Sequence, residues 1–161
     1  MVWLWVGSSV TLRVDGLVLS QSACGGSCEL LTNGDFSNGT SGWSQGWGNA
    51  GTVSNGELSL SGGVMMQDVS ASANTAYTLS GRYRTANNPP SRDIGIDFLN
   101  GSGNQIGSSA SVGVSISNAY ATFSLPVTAP AGTAEIKVWT YTGNAGTLIV
   151  DELELVETGC N

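Results

Sequence analysis

Apolar and polar residues alternate along this chain in short runs, and the period is two wherever a run is long enough to show one. Ala76 to Thr85 sets Tyr77, Leu79, Gly81 and Tyr83 against Thr78, Ser80, Arg82 and Arg84, the pattern of a strand with one face turned to a core. Ile94, Ile96 and Phe98 alternate with Asp93 and Asp97, and Phe123, Leu125 and Val127 line one side of Ala121 to Val127. Ala134 to Thr142 separates Ile136, Val138 and Thr140 from Lys137, Trp139 and Tyr141. Val64 to Ser70 reads as a further strand, and Gly51 to Ser54 and Glu57 to Leu60 flank Asn55-Gly56, the strongest short-range hairpin signal. Asn87-Asn88-Pro89-Pro90, Asn100 to Asn104 and Pro130 to Gly132 are breaks. No apolar period of 3.6 is long enough for a helix. Eight or nine short strands at this spacing predict an all-β fold, a β-sandwich of two antiparallel sheets.

A repeat organises the chain. Val138 to Cys160 is preceded, at an offset of 136 residues, by a second copy, Val2 to Cys24. The copies share Val2/Val138, Trp3/Trp139, Gly7/Gly143, Thr11/Thr147, Leu12/Leu148, Val14/Val150, Asp15/Asp151, Leu17/Leu153, Leu19/Leu155 and Cys24/Cys160. A tandem array is the simplest source of such a pattern. Residues 1–23 are then expected to be the C-terminal hairpin of a preceding module, 24–28 a linker and 29–161 a complete module. Alternatively, the first hairpin occupies the equivalent slot of a neighbouring chain and makes an oligomer.

Composition narrows the function. Twenty-three glycines and few charged residues suit an all-β protein with many turns. A net charge of -7 with five Lys and Arg in all makes nucleic acid a poor partner. The absence of histidine removes the usual general base and zinc ligand. The apolar run Met1 to Val6 is too short and lacks the flanks of a signal peptide, so any export signal is expected upstream. No stretch has the length of a membrane span. Of three cysteines, Cys24 and Cys28 lie in C-G-G-S-C and Cys160 matches Cys24. This predicts a linker disulfide, Cys24 to Cys28, in an oxidising compartment.

Two features carry candidate chemistry. If Ile136 and Val138 face the core, Trp139 and Tyr141 stand in a row on the outer surface beside Lys137, about 7 Å apart, the reach of one or two sugar rings. An indole packs on a sugar's C–H face while Arg, Asp, Asn and Gln bind its hydroxyls. Arg82, Arg84 and Asp97, outward on other strands, are candidates to complete such a groove. In the opposite arrangement the aromatics are core. Asp151 shares a period-two face with Ile149, Leu153 and Leu155, so its carboxylate needs compensation; Leu148 and Val150 on the other face blur which side is inside. Asp35 in the Asn33-Gly34-Asp35 turn and Asp151, with nearby backbone carbonyls, are candidate oxygen ligands for one calcium. The alternative is an Asx turn at Asp35 and a hydrogen-bonded Asp151.

Leu30-Leu31-Thr32-Asn33-Gly34-Asp35-Phe36, Gly42-Trp43, Tyr77-Thr78-Leu79-Ser80 and Val150-Asp151-Glu152-Leu153-Glu154-Leu155 together resemble, in that order, the calcium-binding β-jelly-roll carbohydrate-binding modules, including the xylan- and glucan-binding kinds attached to secreted glycoside hydrolases. The resemblance implies a jelly roll, a structural calcium near Asp35 and Asp151, and a ligand groove on one sheet. It makes Trp43 a packing residue and leaves Trp47 to the groove rim. Ser37 departs from the pattern, since many members carry Glu there. The implied function is non-catalytic polysaccharide or oligosaccharide binding in an extracellular protein with appended catalytic or repeat modules. The competing expectation is a structural or adhesive module, and a polysaccharide lyase ranks third. Neutral glycans suit the acidic charge, while Arg82, Arg84 and Lys137 keep an acidic polymer open.

Overall fold

A computed structural model describes residues 29–159. The segment 1–23, the Cys24 to Cys28 linker and Cys160 lie outside the described residues. Ten strands form, all in antiparallel pairs. They are β1 (Ser44–Gly48), β2 (Thr52–Ser54), β3 (Glu57–Leu60), β4 (Gly63–Ser70), β5 (Ala76–Ala86), β6 (Arg92–Leu99), β7 (Gln105–Gly113), β8 (Ala121–Thr128), β9 (Glu135–Thr142) and β10 (Thr147–Glu157). One sheet has the order β1-β4-β9-β6-β7 and the other β2-β3-β10-β5-β8. No helix forms among the described residues, and none is long and apolar enough to cross a membrane.

The period-two faces decide the core. Ile94, Ile96, Ile136 and Val138 of the first sheet are fully buried, and they meet Leu79, Leu148, Val150, Leu153 and Leu155 of the second. Ser54 pairs with Glu57 across Asn55 (φ 55) and Gly56 (φ 77), the two left-handed residues that a tight hairpin turn requires. Trp43 packs against Phe36 with ring centroids 5.3 Å apart and donates from Nε1 to the Asn33 carbonyl, the packing role expected of it. The 32–43 loop is held to both sheets. Gln67 of β4 exchanges two hydrogen bonds with the Thr32 backbone, and the Leu153 N–H of β10 donates to the Gly34 carbonyl.

Two strands went unread in the sequence. β1 and β7 are the edges of the first sheet; β1 is exposed throughout and carries no apolar alternation, while in β7 the half-buried Ile106, Ala110 and Val112 are separated by an irregular, polar stretch at Gly107 to Ser109. Ahead of β1, an isolated bridge joins Glu29 to Val156 and the Leu30 N–H donates to the Leu155 carbonyl.

The repeated unit 138–160 is not a hairpin. β9 lies in one sheet and β10 in the other, so the unit is an arch that crosses the sandwich. β10 also contains a bulge. Asp151 pairs with Arg82 and Glu154 with Ser80, three steps on β10 against two on β5, and Glu152 takes up the extra residue at φ 52. The bulge inverts the facing of the strand. Before it Leu148 and Val150 point inward; after it Leu153 and Leu155 do. This corrects the reading that put Asp151 on one face with Leu153 and Leu155, and it explains why the strand looks apolar on both sides. At the same place the first copy carries Gly16, the residue that adopts positive φ without steric cost.

Candidate functional site

On the outer face of the first sheet, the residues opposite the core make a trough of about 520 Å³, lined by Gly46, Trp47, Val64, Met66, Asp97, Ser109, Lys137, Trp139 and Tyr141. Its axis of aromatics is β9. Ile136, Val138 and Thr140 are buried, which turns Lys137, Trp139 and Tyr141 outward, half-buried among their neighbours. Val64 and Met66 of β4 lie directly across from Tyr141 and Trp139 and add apolar floor. Gly95 and Asp97 of β6 lie across from Trp139 and Lys137 on the other side.

Both rims are products of irregular edge strands. In β1, Gln45 pairs with Met65 and Gly48 with Gly63, one residue more than β4 uses. The bulge sends Trp47 outward, 56% exposed, with its ring 5.6 Å from that of Tyr141 and tilted by 45°. In β7, Ala110 pairs with Ile96 and Ile106 with Phe98, so β7 uses four steps where β6 uses two, and Gly107 takes φ 68. Ser109 reaches the trough from this irregular stretch. Bulges at sheet edges commonly re-aim a side chain in this way.

Polar groups are few and placed at the sides. Trp139 Nε1 donates to Asp97 Oδ1 at 3.1 Å. Lys137 Nζ is 3.9 Å from Asp68 Oδ1, and Asp68 and Asp97 flank Lys137 across the two neighbouring strands. The single ammonium of the trough is therefore offset by two carboxylates.

Five of the residues singled out from sequence, Trp47, Asp97, Lys137, Trp139 and Tyr141, are brought together here. Arg82 and Arg84 are not. They do face outward, as their alternation requires, but on β5 of the other sheet, and so on the opposite side of the molecule from the trough. Their guanidiniums are already engaged. Arg82 Nη2 meets Asp151 Oδ2 at 2.5 Å and Nε lies 3.4 Å from Glu152 Oε2; Arg84 Nη2 meets Glu57 Oε2 at 2.6 Å. Both lie over the Tyr120 ring, at 4.6 and 5.5 Å. The hydrogen bond from Arg84 holds the Glu57 carboxyl below its ordinary value of 4.5, and partial burial pushes the Tyr120 hydroxyl up. Alternation reports a face but not a sheet, which is why these arginines were misplaced.

Val64, Met66, Gly46, Ser109 and Gly95 were missed. A signal existed for the first two, because they alternate with buried Met65 and Gln67 along β4. None existed for the glycines and the serine, whose places depend on bulges and cross-strand register.

The carboxylates of Asp35 and Asp151, expected as calcium ligands, are both engaged by groups of the chain itself. Asp151 Oδ2 accepts from two nitrogens of Arg82 and Oδ1 from the Glu152 N–H; a guanidinium already compensates this nearly buried carboxylate. Asp35 Oδ1 accepts from the backbone N–H and hydroxyl of Ser37, the Asx-turn alternative. Among the described residues no three acidic, cysteine or histidine side chains gather where an ion could sit.

No family model and no curated protein matches the chain. Its fold is shared with solved carbohydrate-binding modules of the β-jelly-roll kind. One, a family 16 carbohydrate-binding module, is 21% identical with a TM-score of 0.64, over 80% of this chain and 99% of that one. A second, the xylan-binding domain of family 22 from Paenibacillus barcinonensis, is 12% identical with a TM-score of 0.58, over 73% and 86%. The enzymatically active domain of tailspike protein 4 from bacteriophage CBA120 contains a similar unit, 15% identical with a TM-score of 0.69, over 81% of this chain; the chain spans 21% of that protein. At such identities the likeness is one of fold.

Proposed function

We propose that this chain binds carbohydrate without catalysis, holding a neutral polysaccharide or oligosaccharide in the trough of the first sheet. The observation that supports this best is the set of three accessible aromatic rings, Trp139, Tyr141 and Trp47, around one apolar floor with Asp97, Lys137 and Ser109 at its sides. Rings that open onto solvent beside sparse polar groups are what a sugar's mixed surface requires, since its C–H faces pack on the rings and its hydroxyls meet Lys137 and Ser109. Two carboxylates around the one ammonium disfavour an acidic polymer, which would need an unmatched cation to hold its charge. The placement of Arg82 and Arg84 on the far sheet removes the residues that had kept an acidic ligand open. Nothing in the trough pairs a free general acid with a base, because Asp97 is engaged by Trp139.

The neighbours that share the fold include a module joined to a xylanase module and a tandem of two such modules, and the repeat at an offset of 136 residues belongs to the same reading: a unit of an extracellular, multi-modular protein in which linked copies raise avidity through effective concentration. The test is affinity electrophoresis and calorimetry against xylan, β-glucan, mannan and a polyuronate. Retardation on a neutral polymer, with an affinity that stays constant as salt rises, is expected. Retardation on none of them returns the chain to a structural or adhesive role.

A further inference from the structure

Trp139 is fixed from two sides by residues of β6. Gly95 lies directly opposite it, and a Cβ at Gly95 would run into Cζ2 and Cε2 of the indole, the latter at 2.8 Å, and would sit 2.7 Å from the Ala110 carbonyl. The ring therefore rests on bare backbone, where any other residue would lift it away. Gly95 has no positive φ, so its lack of a side chain, and not its backbone freedom, is what the site uses. At the other edge of the ring, Nε1 donates to Asp97 Oδ1 at 3.1 Å. Asp97 is the diagonal neighbour of Trp139 across the β9–β6 pair, a separation that an aromatic side chain spans.

Close over a glycine and tied at its nitrogen, the indole is held beside β6 where it lines the trough. We propose that Gly95 and Asp97 are positioning residues that preorganise Trp139 as a flat platform, and that Asp97 acts on ligand affinity through the indole and not by its own contact with a sugar hydroxyl. A ring already held in its bound orientation loses little freedom when the ligand arrives. The proposal deepens the reading of the trough as a glycan site and rests on it for the affinity readout. Its geometric half can be tested in the free protein.

The experiment uses the 161-residue chain and its five tryptophan indole N–H signals in a ¹H–¹⁵N spectrum, with Trp139 assigned from Trp139→Phe. In the wild type the Trp139 N–H is expected to be hydrogen-bonded and slow to exchange. Asp97→Ala should release it, and Asp97→Asn, which keeps an acceptor oxygen, should retain it. Affinity is measured by calorimetry with cellohexaose, xylohexaose and mannohexaose. Asp97→Ala should weaken the ligand that binds by about tenfold, the upper end for one hydrogen bond, and Asp97→Asn by less than about twofold. Gly95→Ala should shift the Trp139 signal and weaken binding. In a Trp139→Ala background, neither Gly95→Ala nor Asp97→Ala should weaken it further, because the element they position is gone.

If Asp97→Ala leaves the indole signal unchanged, or still weakens binding when Trp139 is absent, the positioning role is wrong and Asp97 touches the ligand itself. If Gly95→Ala does not fold, the Asp97 pair alone decides. Should the wild type bind none of the three sugars, the glycan reading fails, while the N–H exchange of Asp97→Ala against Asp97→Asn still decides whether the indole is held as proposed.

Discussion

Replacing Trp47 with alanine separates ligand binding from folding, because this ring belongs to the trough far more than to the core. It is 56% exposed, and its ring stands 5.6 Å from that of Tyr141 at a tilt of 45°. An aromatic pair of that geometry contributes about 0.5–1.5 kcal/mol beyond its buried area, and at an exposed rim the low end applies, so Trp47→Ala should lower folding stability by no more than about 0.5 kcal/mol. The loss in binding is larger. A tryptophan presents roughly 250 Å², so somewhat over half of it faces solvent in the free state. A sugar covering about half of that exposed part would remove roughly 70 Å² from water, about 1.8 kcal/mol at 25 cal/mol per Å², or roughly twentyfold in affinity. Calorimetry with the hexasaccharide that the wild type binds, beside urea unfolding of both proteins, measures the two quantities. Wild-type affinity in Trp47→Ala would remove the β1 rim from the site; equal losses of stability and affinity would mean the ring works by packing.

Thr140 faces the core at 0% exposure, its Oγ1 without a hydrogen-bond partner among the described residues, and the first copy carries Leu4 at that place. Thr140→Val should therefore raise stability by about 1 kcal/mol in urea unfolding while leaving sugar affinity unchanged; a loss would mean that the hydroxyl is satisfied. Glu57 is held below 4.5 by the hydrogen bond from Arg84, so its contribution is present above that pH and lost as pH falls through its lowered folded value. Glu57→Gln should flatten the acid limb of the stability profile measured by thermal melts, and an unchanged limb would assign it to other carboxylates. With Asp151 compensated by Arg82 and Asp35 closed on Ser37, neither chelator nor millimolar calcium should move the melting midpoint by more than about 1 °C, since only a ligand of the native state raises it. A midpoint that climbs with calcium would restore a metal site.

The fold class and the facing of most strands were legible because both depend on local alternation. Ile136 and Val138 against Trp139 and Tyr141, or Tyr77 and Leu79 against Thr78 and Ser80, can be sorted by counting in twos, and Asn55-Gly56 carries its own turn chemistry. Counting in twos fails where a strand gains a residue. At Glu152 the chain enters a conformation that its own side chain does not favour, and the packing of Leu153 and Leu155 against the opposite sheet imposes the shift. Gly16 in the first copy hints at it, yet only the pairing of Asp151 with Arg82 and Glu154 with Ser80 shows it.

By itself the chain determined that it is a two-sheet antiparallel sandwich, that Lys137, Trp139 and Tyr141 share one side of their strand, and that Asp151 needs a partner. Tertiary structure decided which sheet each strand joins, and with it everything non-local about the site. It sent Arg82 and Arg84 to the far side, gave Asp151 a guanidinium partner, and set Gly95 beside the Trp139 indole. It also used two bulged edges to bring Trp47 and Ser109 to the rims. Side-chain facing follows from a residue's own neighbours along the chain, whereas sheet membership and register depend on pairings between distant segments, and these are settled only when the whole sandwich closes over its core.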